Sequence, residues 1–283
     1  MATKKLTVKE LIQKMSTGAI SSQSMLKEAL TNIDNNIDHN AFITIDREGA
    51  LSKAIQYDKL REMGELIGPL HGILVAVKDN IHVAGLPNTA GTLALKNFIP
   101  KEDAIVVKRL KEAGAIVIGK TNMHELAYGV TSDNKTFGAV GNSKSGAFIA
   151  GGSSGGTGTA VALNMASIGI GTDTGGSARI PSALNGIVGF RPTTDRYPTD
   201  GMTRISSTRD TVGPMVSSVE DCQLLDEILS GEKNNYQEMT LKGLRIGVPR
   251  EYFYENLEPL IAEKTEHLLK QIKQAGAELV FEN

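Results

Sequence analysis

The first quarter of the chain carries the periodicity of amphipathic helices, in which apolar residues recur every three or four positions. Thr7 and Glu10 form the capping-box pattern that opens the first helix. Ser21 opens a second helix, and 48–63 has the pattern of a third. Between the last two, Phe42–Ile45 has the composition of a short strand.

Further along, short apolar runs alternate with helical patterns. The runs Gly72–Asn80 and Ala115–Ile118 have the length of buried strands, and Asp103–Ala113 between them has a helical pattern. This β–α–β order predicts an α/β fold with a parallel sheet. Alternation sends Lys78 and Asp79 to opposite faces of the first strand. Taken alone, Lys78 is more simply explained as a strand-end lysine that reaches solvent.

The residues from Gly151 to Pro192 form the stretch around which the chain is organised. Two glycine-rich turns carry Ser153 and Ser177, each before a helical pattern, and Ala166–Gly171 between them has the length of a strand. Glycine permits positive φ, and the first amides of a helix are unpaired donors. A serine held there faces N–H groups of the kind that an acyl-transfer oxyanion needs. Tight connections in an α/β fold are the alternative explanation.

The remainder of the chain is loop-rich up to Pro214 and then regular. The predicted elements are a helix at Val219–Ser230, a polar linker over 232–240, a strand at Leu244–Pro249, a helix at Leu257–Ala275 and a strand at Ala277–Phe281. We expect one domain over residues 1–283, with a helical segment to about 65, a catalytic core over about 66–231 and a strand–helix–strand unit over about 241–283.

Composition narrows the class of protein. With 283 residues the chain is long enough for one sizeable core, and its net charge of −2 offers no basic surface for nucleic acid. Cys222 is the single cysteine, which excludes an internal disulfide. No signal-peptide apolar region and no apolar run of about 18 residues occurs. We therefore expect a cytoplasmic protein that binds neither membrane nor nucleic acid.

Other catalytic patterns fit this sequence less well. The Gly-x-Ser-x-Gly pattern at Gly151 matches an α/β-hydrolase elbow, but that fold needs a later acid and histidine, and only His267 follows. Ser132 would have to serve two motifs of penicillin-binding enzymes at once. The five histidines lack metal-ligand spacing, and no nucleotide-binding glycine loop occurs. We expect neither a metal nor a cofactor.

Three motifs together resemble the amidase signature family: Gly-Gly-Ser-Ser-Gly-Gly at 151–156, Gly-Thr-Asp-Thr-Gly-Gly-Ser-Ala-Arg-Ile-Pro at 171–181, and Val-Ala-Val-Lys-Asp-Asn at 75–80. The resemblance extends from about Thr7 to the C-terminus. It implies a mixed, largely parallel central sheet covered by helices on both faces, and a serine hydrolase for amides. In that family's mechanism Ser177 would be the nucleophile, Ser153 the bridging serine on a cis peptide and Lys78 the base, with Ser154 in support.

The resemblance also assigns residues around the reacting carbonyl. The backbone amides of Thr174, Gly175 and Gly176, together with that of Ser177, would line the oxyanion hole. Met123 is expected to line the acyl pocket, although a methionine at that place is as often ordinary core.

A lysine can act as a base only when it is neutral. Moving its pKa from about 10.4 to near 7 costs about 4–5 kcal/mol, which burial and hydroxyl partners can supply. The implied partners of Lys78 are the hydroxyls of Ser153, Ser154 and Ser177, because carboxylates would hold it charged. Ser153 would carry the proton from Ser177 to Lys78 and return it to the leaving nitrogen.

The segment after Arg191 is similar to indoleacetamide and mandelamide hydrolases, and less similar to the A subunit of glutamyl-tRNA amidotransferase. We therefore expect hydrolysis of a small aryl- or alkyl-substituted amide to carboxylate and ammonia. The alternatives are a glutamine-hydrolysing A subunit in tRNA-dependent amidation and an inactive truncated fragment. Because members of that family continue beyond Asn283, we expect the fold to be incomplete there, with a homodimer or a partner chain that supplies the rest.

Overall fold

The computed structural model describes residues 6–234 and 236–281. One position of the predicted linker over 232–240, Asn235, therefore lies outside the described residues. The helices are α1 (Val8–Ser16), α2 (Ser22–Asn35), α3 (Arg47–Glu62), α4 (Ile105–Glu112), α5 (Gly155–Ala162), α6 (Arg179–Asn185), α7 (Val219–Ser230) and α8 (Pro259–Gln274), with single 3₁₀ turns at Ile37–His39, Leu93–Leu95 and Glu125–Ala127. The strands are β1 (Phe42–Ile45), β2 (Leu74–Lys78), β3 (Ile116–Thr121), β4 (Gly141–Asn142), β5 (Ser145–Ile149), β6 (Ile168–Asp173), β7 (Val188–Gly189), β8 (Thr211–Val216), β9 (Arg245–Gly247) and β10 (Glu278–Val280).

The main sheet has six strands in the order β1-β3-β2-β6-β8-β7. β3, β2 and β6 are mutually parallel, β1 and β8 run antiparallel to them, and β7 is antiparallel to β8. The predicted mixed, largely parallel sheet is therefore confirmed. Because parallel strands end at the same edge, Lys78, Thr121 and Asp173 come together at the carboxyl ends of β2, β3 and β6.

Helices cover both faces of this sheet, and the alternation of β2 shows how. Val75 and Val77 belong to one buried cluster, which also contains residues of α1, α4 and α7. Leu74 and Ala76 belong to a second cluster, with residues of α2, α3 and α5. Successive side chains of a strand point to opposite faces, so one strand supplies both cores.

A register shift lies between β2 and β3. Val75 pairs with Val117, whereas Ala76 pairs with Gly119, so β3 carries one extra residue at this point. Beyond the shift Lys120 pairs with Val77. The bulge thereby places Lys120 on the same face of the sheet as Val77, and Asp79, two residues after Val77, lies on that face as well.

The capping predictions agree with the structure. The Thr7 hydroxyl accepts from the Glu10 amide at 3.1 Å, and the Glu10 carboxylate accepts from the Thr7 amide at 2.7 Å. The Ser21 hydroxyl likewise accepts from the Ser24 amide at 3.0 Å and opens α2. These side chains satisfy first-turn donors that would otherwise be unpaired.

The prediction of a loop-rich segment up to Pro214 is wrong for its last residues, because Thr211–Val216 forms the fully buried strand β8. Gly213 and Pro214 disguise it, since both residues are depleted in strands. The Pro214 carbonyl accepts from the Phe190 amide at 3.0 Å. A Cβ at Gly213 would lie 2.7 Å from the Ala178 Cβ, so only glycine allows this close packing. The hairpin β4–β5 and the short β7 were also absent from the prediction.

Contacts divide the chain into two compact units, one up to Lys233 and one from Asn234. The second unit consists of α8 and a parallel pair, β9 and β10. It has the strand–helix–strand order predicted for this region. The single domain over residues 1–283 stays a prediction.

Candidate active site

Lys78 ends β2 with its side chain completely buried. Its Nζ lies within hydrogen-bond distance of Ser153 Oγ and of Thr172 Oγ1, at 2.7 Å from each. Burial lowers the pKa of Lys78 to about 7, although the carboxylates of Asp173 and Asp210 act to raise it. A lysine in this environment is partly neutral near neutral pH and can accept a proton from a hydroxyl.

Ser153 follows a cis Gly152–Ser153 peptide bond and is also fully buried. Its carbonyl oxygen accepts from the His124 amide at 3.1 Å and from the Ser132 hydroxyl at 3.4 Å. The Ser132 oxygen in turn accepts from the Gly155 amide at 3.1 Å. These contacts hold the Ser153 backbone from one side.

Glycines of β6 bring the Ser153 turn close to the sheet. A Cβ at Gly171 would lie 2.8 Å from Ser154 Oγ, and a Cβ at Gly169 would lie 2.5 Å from the Thr157 methyl carbon. Without side chains at these two positions, the first turn of α5 packs directly on β6. The hydroxyl of Ser153 therefore reaches the end of β2, where Lys78 lies.

Ser177 lies at the second glycine turn, after Gly176 with a φ of +121°. Its carbonyl oxygen accepts from the Ser154 amide at 3.1 Å, so the two serine turns contact each other. Ser177 is 8% exposed, whereas Lys78 and Ser153 are 0% exposed. Within the described residues its hydroxyl makes no hydrogen bond, so of the three predicted catalytic side chains it is the one open to a ligand.

The Asp173 carboxylate holds the Ser177 turn. It accepts from the amides of Gly176 at 2.8 Å and Ala178 at 3.1 Å, and from Arg179 Nε and Nη2 at 3.0 Å. Burial acts to raise the pKa of Asp173, but the hydrogen bonds from Arg179 and the two amides outweigh it and lower that pKa. A charged carboxylate thus fixes the shape of the turn.

The same contact changes the predicted oxyanion hole. The Gly176 amide, predicted to line it, instead points at Asp173. The amides of Thr174, Gly175 and Ser177 remain as candidate donors for an oxyanion. Thr174 is anchored separately, because its hydroxyl donates to Asp210 Oδ1 at 2.5 Å.

Two predicted hydrogen-bond partners of Lys78 make no hydrogen bond to it among the described residues. The Ser154 hydroxyl donates to the Thr172 carbonyl at 3.2 Å and accepts from the Thr172 amide at 3.3 Å, so it supports β6 rather than the lysine. Ser177 likewise makes no hydrogen bond to Lys78 among the described residues. The actual partners are Ser153 and Thr172, because β2 and β6 are adjacent and Lys78 extends past the strand end.

Met123 is 0% exposed, and its carbonyl accepts from Asn134 Nδ2 at 2.8 Å. Complete burial fits the alternative of ordinary core at least as well as a pocket wall. Its contact with a substrate stays a prediction.

The sequence of this chain matches the family model described as Amidase over residues 24–281. The chain belongs to the amidase signature family. It is 46% identical to the mandelamide hydrolase of Pseudomonas putida over 266 residues, which cover 92% of this chain and 52% of that protein. It is 45% identical to the indoleacetamide hydrolase of Allorhizobium ampelinum over 248 residues, covering 87% and 53% respectively.

A crystal structure of an amidase superposes on 98% of this chain with a TM-score of 0.92 and 37% sequence identity, and 63% of that chain is covered. The fold of this member of the amidase signature family is thus that of solved family members. The chain spans about half the length of the two curated relatives named above.

Sequence reasoning missed Thr172, Asn80 and the two carboxylates Asp173 and Asp210 in this amidase-family site. Thr172 and Asp173 lie inside a recognised motif, but their contacts depend on β6 lying beside β2, which periodicity does not reveal. Asn80 follows Lys78 by two residues and donates from Nδ2 to Thr172 Oγ1 at 3.2 Å. The position of Asn80 two residues after Lys78 was the sequence signal that could have identified it as a site residue.

Two further findings concern the described parts of the chain, 6–234 and 236–281. They hold no group of three or more His, Cys, Asp or Glu side chains arranged to bind a metal ion. None of the helices in these ranges has both the length and the apolar character needed to cross a bilayer.

Proposed function

We propose that this chain hydrolyses a small carboxylic amide to carboxylate and ammonia, with Ser177 as nucleophile, Ser153 as proton bridge and Lys78 as base. The observation that carries the proposal is the environment of Lys78. Its Nζ lies 2.7 Å from Ser153 Oγ in a fully buried site where burial lowers its pKa to about 7. Membership of the amidase signature family supports the same reaction class.

In the first half-reaction, Ser177 Oγ attacks the amide carbon. Its proton passes to Ser153 Oγ as the Ser153 proton passes to Lys78 Nζ, so the nucleophile becomes anionic only as its new bond forms. Negative charge develops on the carbonyl oxygen. The unengaged amides of Thr174, Gly175 and Ser177 are the donors available to stabilise that charge.

Collapse of the tetrahedral intermediate breaks the carbon–nitrogen bond. The Lys78 ammonium returns its proton through Ser153 to the departing nitrogen, which leaves as ammonia, and the acyl group stays on Ser177. Water then attacks the acyl carbon and gives a proton to the same relay. The relay returns this proton to Ser177 Oγ, which frees the carboxylic acid and restores the enzyme.

For the substrate we propose an aryl-substituted acetamide. The two relatives at 45–46% identity are named for mandelamide and indoleacetamide. The proposed substrate is more specific than the proposed reaction class, and the experiment below tests the two separately.

The test is ammonia release from mandelamide, indoleacetamide and glutamine by the purified protein and by Ser177→Ala. Ser52→Ala, at an exposed serine of α3, is the matched control. We expect turnover of an arylacetamide by the wild type and by Ser52→Ala, and none by folded Ser177→Ala. Wild-type rates in Ser177→Ala would overturn the proposed function. Preference for glutamine would overturn the proposed substrate and favour the amidotransferase alternative.

A further inference from the structure

Asn80 contacts Thr172, the second hydrogen-bond partner of Lys78 besides Ser153. It is 2% exposed, and its Nδ2 lies 3.2 Å from Thr172 Oγ1 and 3.3 Å from the carbonyl oxygen of Thr203. A carbonyl oxygen can only accept, so Thr203 requires the NH₂ group of the amide on its side. That same NH₂ group faces Thr172, and Asn80 is therefore a donor to the threonine oxygen.

The other end of this amide supports the assignment. Asn80 Oδ1 is buried and has no hydrogen-bond partner among the described residues. Turning the amide over would let Oδ1 accept from Thr172, but it would set Oδ1 against the Thr203 carbonyl oxygen. The fold keeps Asn80 in the donating orientation and leaves a buried acceptor unpaired, which is uncommon because it costs free energy.

A donating Asn80 restricts where the Thr172 proton can go. Thr172 Oγ1 has two neighbours in the described hydrogen bonds, Asn80 Nδ2 and Lys78 Nζ. Asn80 cannot accept through Nδ2, so among the described residues the acceptor left for the Thr172 proton is the lone pair of a neutral Lys78. If Lys78 carries a third proton, that lone pair is gone and the Thr172 hydroxyl proton is unsatisfied.

We propose that Asn80 is a positioning residue that keeps Lys78 in its neutral, basic form by making the Thr172 hydroxyl donate toward it. When Lys78 is to accept a proton from Ser153, rotation about its Cε–Nζ bond turns the nitrogen lone pair from Thr172 to Ser153 and an N–H from Ser153 to Thr172. The inference rests on the proposed function, in which Lys78 is the base.

The charged groups around Lys78 make such a device necessary. Asp173, at the end of β6, and Asp210, before β8, both favour the protonated lysine. On the β3 side, Lys120 is paired with Asp79 at 3.1 Å and so contributes little net charge. Burial and the donor at Asn80 act together against the two carboxylates.

The experiment compares the pH dependence of kcat/KM in Asn80→Asp and Asn80→Leu with that of the wild type. A carboxylate at position 80 accepts the Thr172 proton and adds negative charge two hydrogen bonds from Lys78. The rising limb of the profile is the pH range in which kcat/KM increases. We expect its apparent pKa to be higher by about one unit or more, with activity recovering at high pH. Asn80→Leu removes the donor to Thr172 and adds no charge, so we expect a smaller increase in the same direction.

Asn88→Asp is the matched control. Asn88 is equally buried and contacts Thr203, with Nδ2 3.3 Å from Thr203 Oγ1, but it does not contact Thr172. The same amide-to-carboxylate change there should leave the apparent pKa where it is in the wild type. A purely structural role of Asn80 would lower kcat without moving the limb.

Action through Thr172 is tested in a Thr172→Val background, where Asn80→Leu should cause no further shift. A persistent shift there, or an unmoved limb in both Asn80 variants, would overturn the inference. If Asn80→Asp does not fold, the direction of the Asn80→Leu shift decides alone. Failure of the proposed function is distinguishable, because it appears as activity retained in Ser177→Ala with wild-type Asn80.

Discussion

Asp79 and Lys120 form an ion pair in which 3.1 Å separates Asp79 Oδ1 from Lys120 Nζ and neither side chain is exposed. Lys120 also donates to the Pro87 carbonyl at 3.2 Å and to Asn88 Oδ1 at 3.1 Å. Asp79 Oδ2 accepts from the Thr89 amide at 3.0 Å. The pair therefore ties the segment 87–89 to the ends of β2 and β3, beside the strand end that carries Lys78.

Removing one member of this pair should destabilise the protein strongly, since the other is left as an uncompensated buried charge. For Lys120→Met or Asp79→Asn we expect the free energy of unfolding to fall by about 3–5 kcal/mol, measured by urea denaturation. Lys135→Met is the control, because its partner Asp133 and Lys135 itself are largely exposed, and it should change stability little. Equal effects of the buried and exposed changes would contradict this account.

A fluorophosphonate should react with Ser177 and with no other serine, because Ser177 is the member of the proposed relay whose hydroxyl is open to a ligand. Peptide mass spectrometry after labelling locates the adduct. Ser177→Ala should remain unlabelled. An adduct on Ser153 would instead make the Gly-x-Ser-x-Gly elbow the better description of the site.

Activity should rise with pH through the neutral range. Burial lowers the pKa of Lys78 to about 7, so the proton that blocks the base is lost as the pH passes that value. We expect kcat/KM to rise about tenfold per unit at acidic pH and to reach a plateau on the alkaline side. Lys78→Ala should stay folded and lose most activity.

His124→Ala is the control for that profile. The contact of His124 with Ser153 is made by its backbone amide, which alanine retains. Its profile should keep the same limb and plateau. A Lys78→Ala protein with near-normal rates, or a histidine-dependent limb, would show that Lys78 is not the base.

Arg191 is expected to tune the same limb. Its Nη1 lies 3.5 Å from Asp173 Oδ1, and it also donates to the Asp173 carbonyl. In Arg191→Met the positive charge beside Asp173 is lost, so the Asp173 carboxylate is less compensated and raises the pKa of Lys78 further. We expect the kcat/KM limb to move to higher pH by up to about one unit.

The matched control is Arg204→Met, because Arg204 is exposed and its Nη2 donates to Thr199 Oγ1 at 2.7 Å. It should leave the limb unchanged. A shift toward acidic pH in Arg191→Met would refute the proposed electrostatic link between Asp173 and Lys78.

Local sequence signals were enough to predict elements that depend only on residues close together in the chain. The Thr7–Glu10 capping box and the apolar run of β2 are examples, since one depends on residues three apart and the other on continuous burial. They failed for β8, where Gly213 and Pro214 are tolerated only because neighbouring segments pack there. Tertiary contacts override local preference at such positions.

The candidate site divides in the same way. Lys78, Ser153 and Ser177 were nominated from motifs, and the structure brings Lys78 and Ser153 within hydrogen-bond distance. Thr172 was not nominated, because its contact with Lys78 exists only when β6 lies next to β2. Strand order is a property of the whole fold, and no periodicity within one segment encodes it.

The extra residue in β3 decides on which face of the sheet Lys120 lies. Continuous pairing beyond Val75 and Val117, without the shift, would match Lys78 with Lys120. Paired residues of neighbouring parallel strands share a face, so Lys120 would then lie on the side of Lys78 and a second cation would lie beside the base. With the shift, Lys120 pairs with Val77 and lies on the side of Asp79. The bulge therefore separates two lysines at the same sheet edge, so that one is partnered by a carboxylate and the other by hydroxyls.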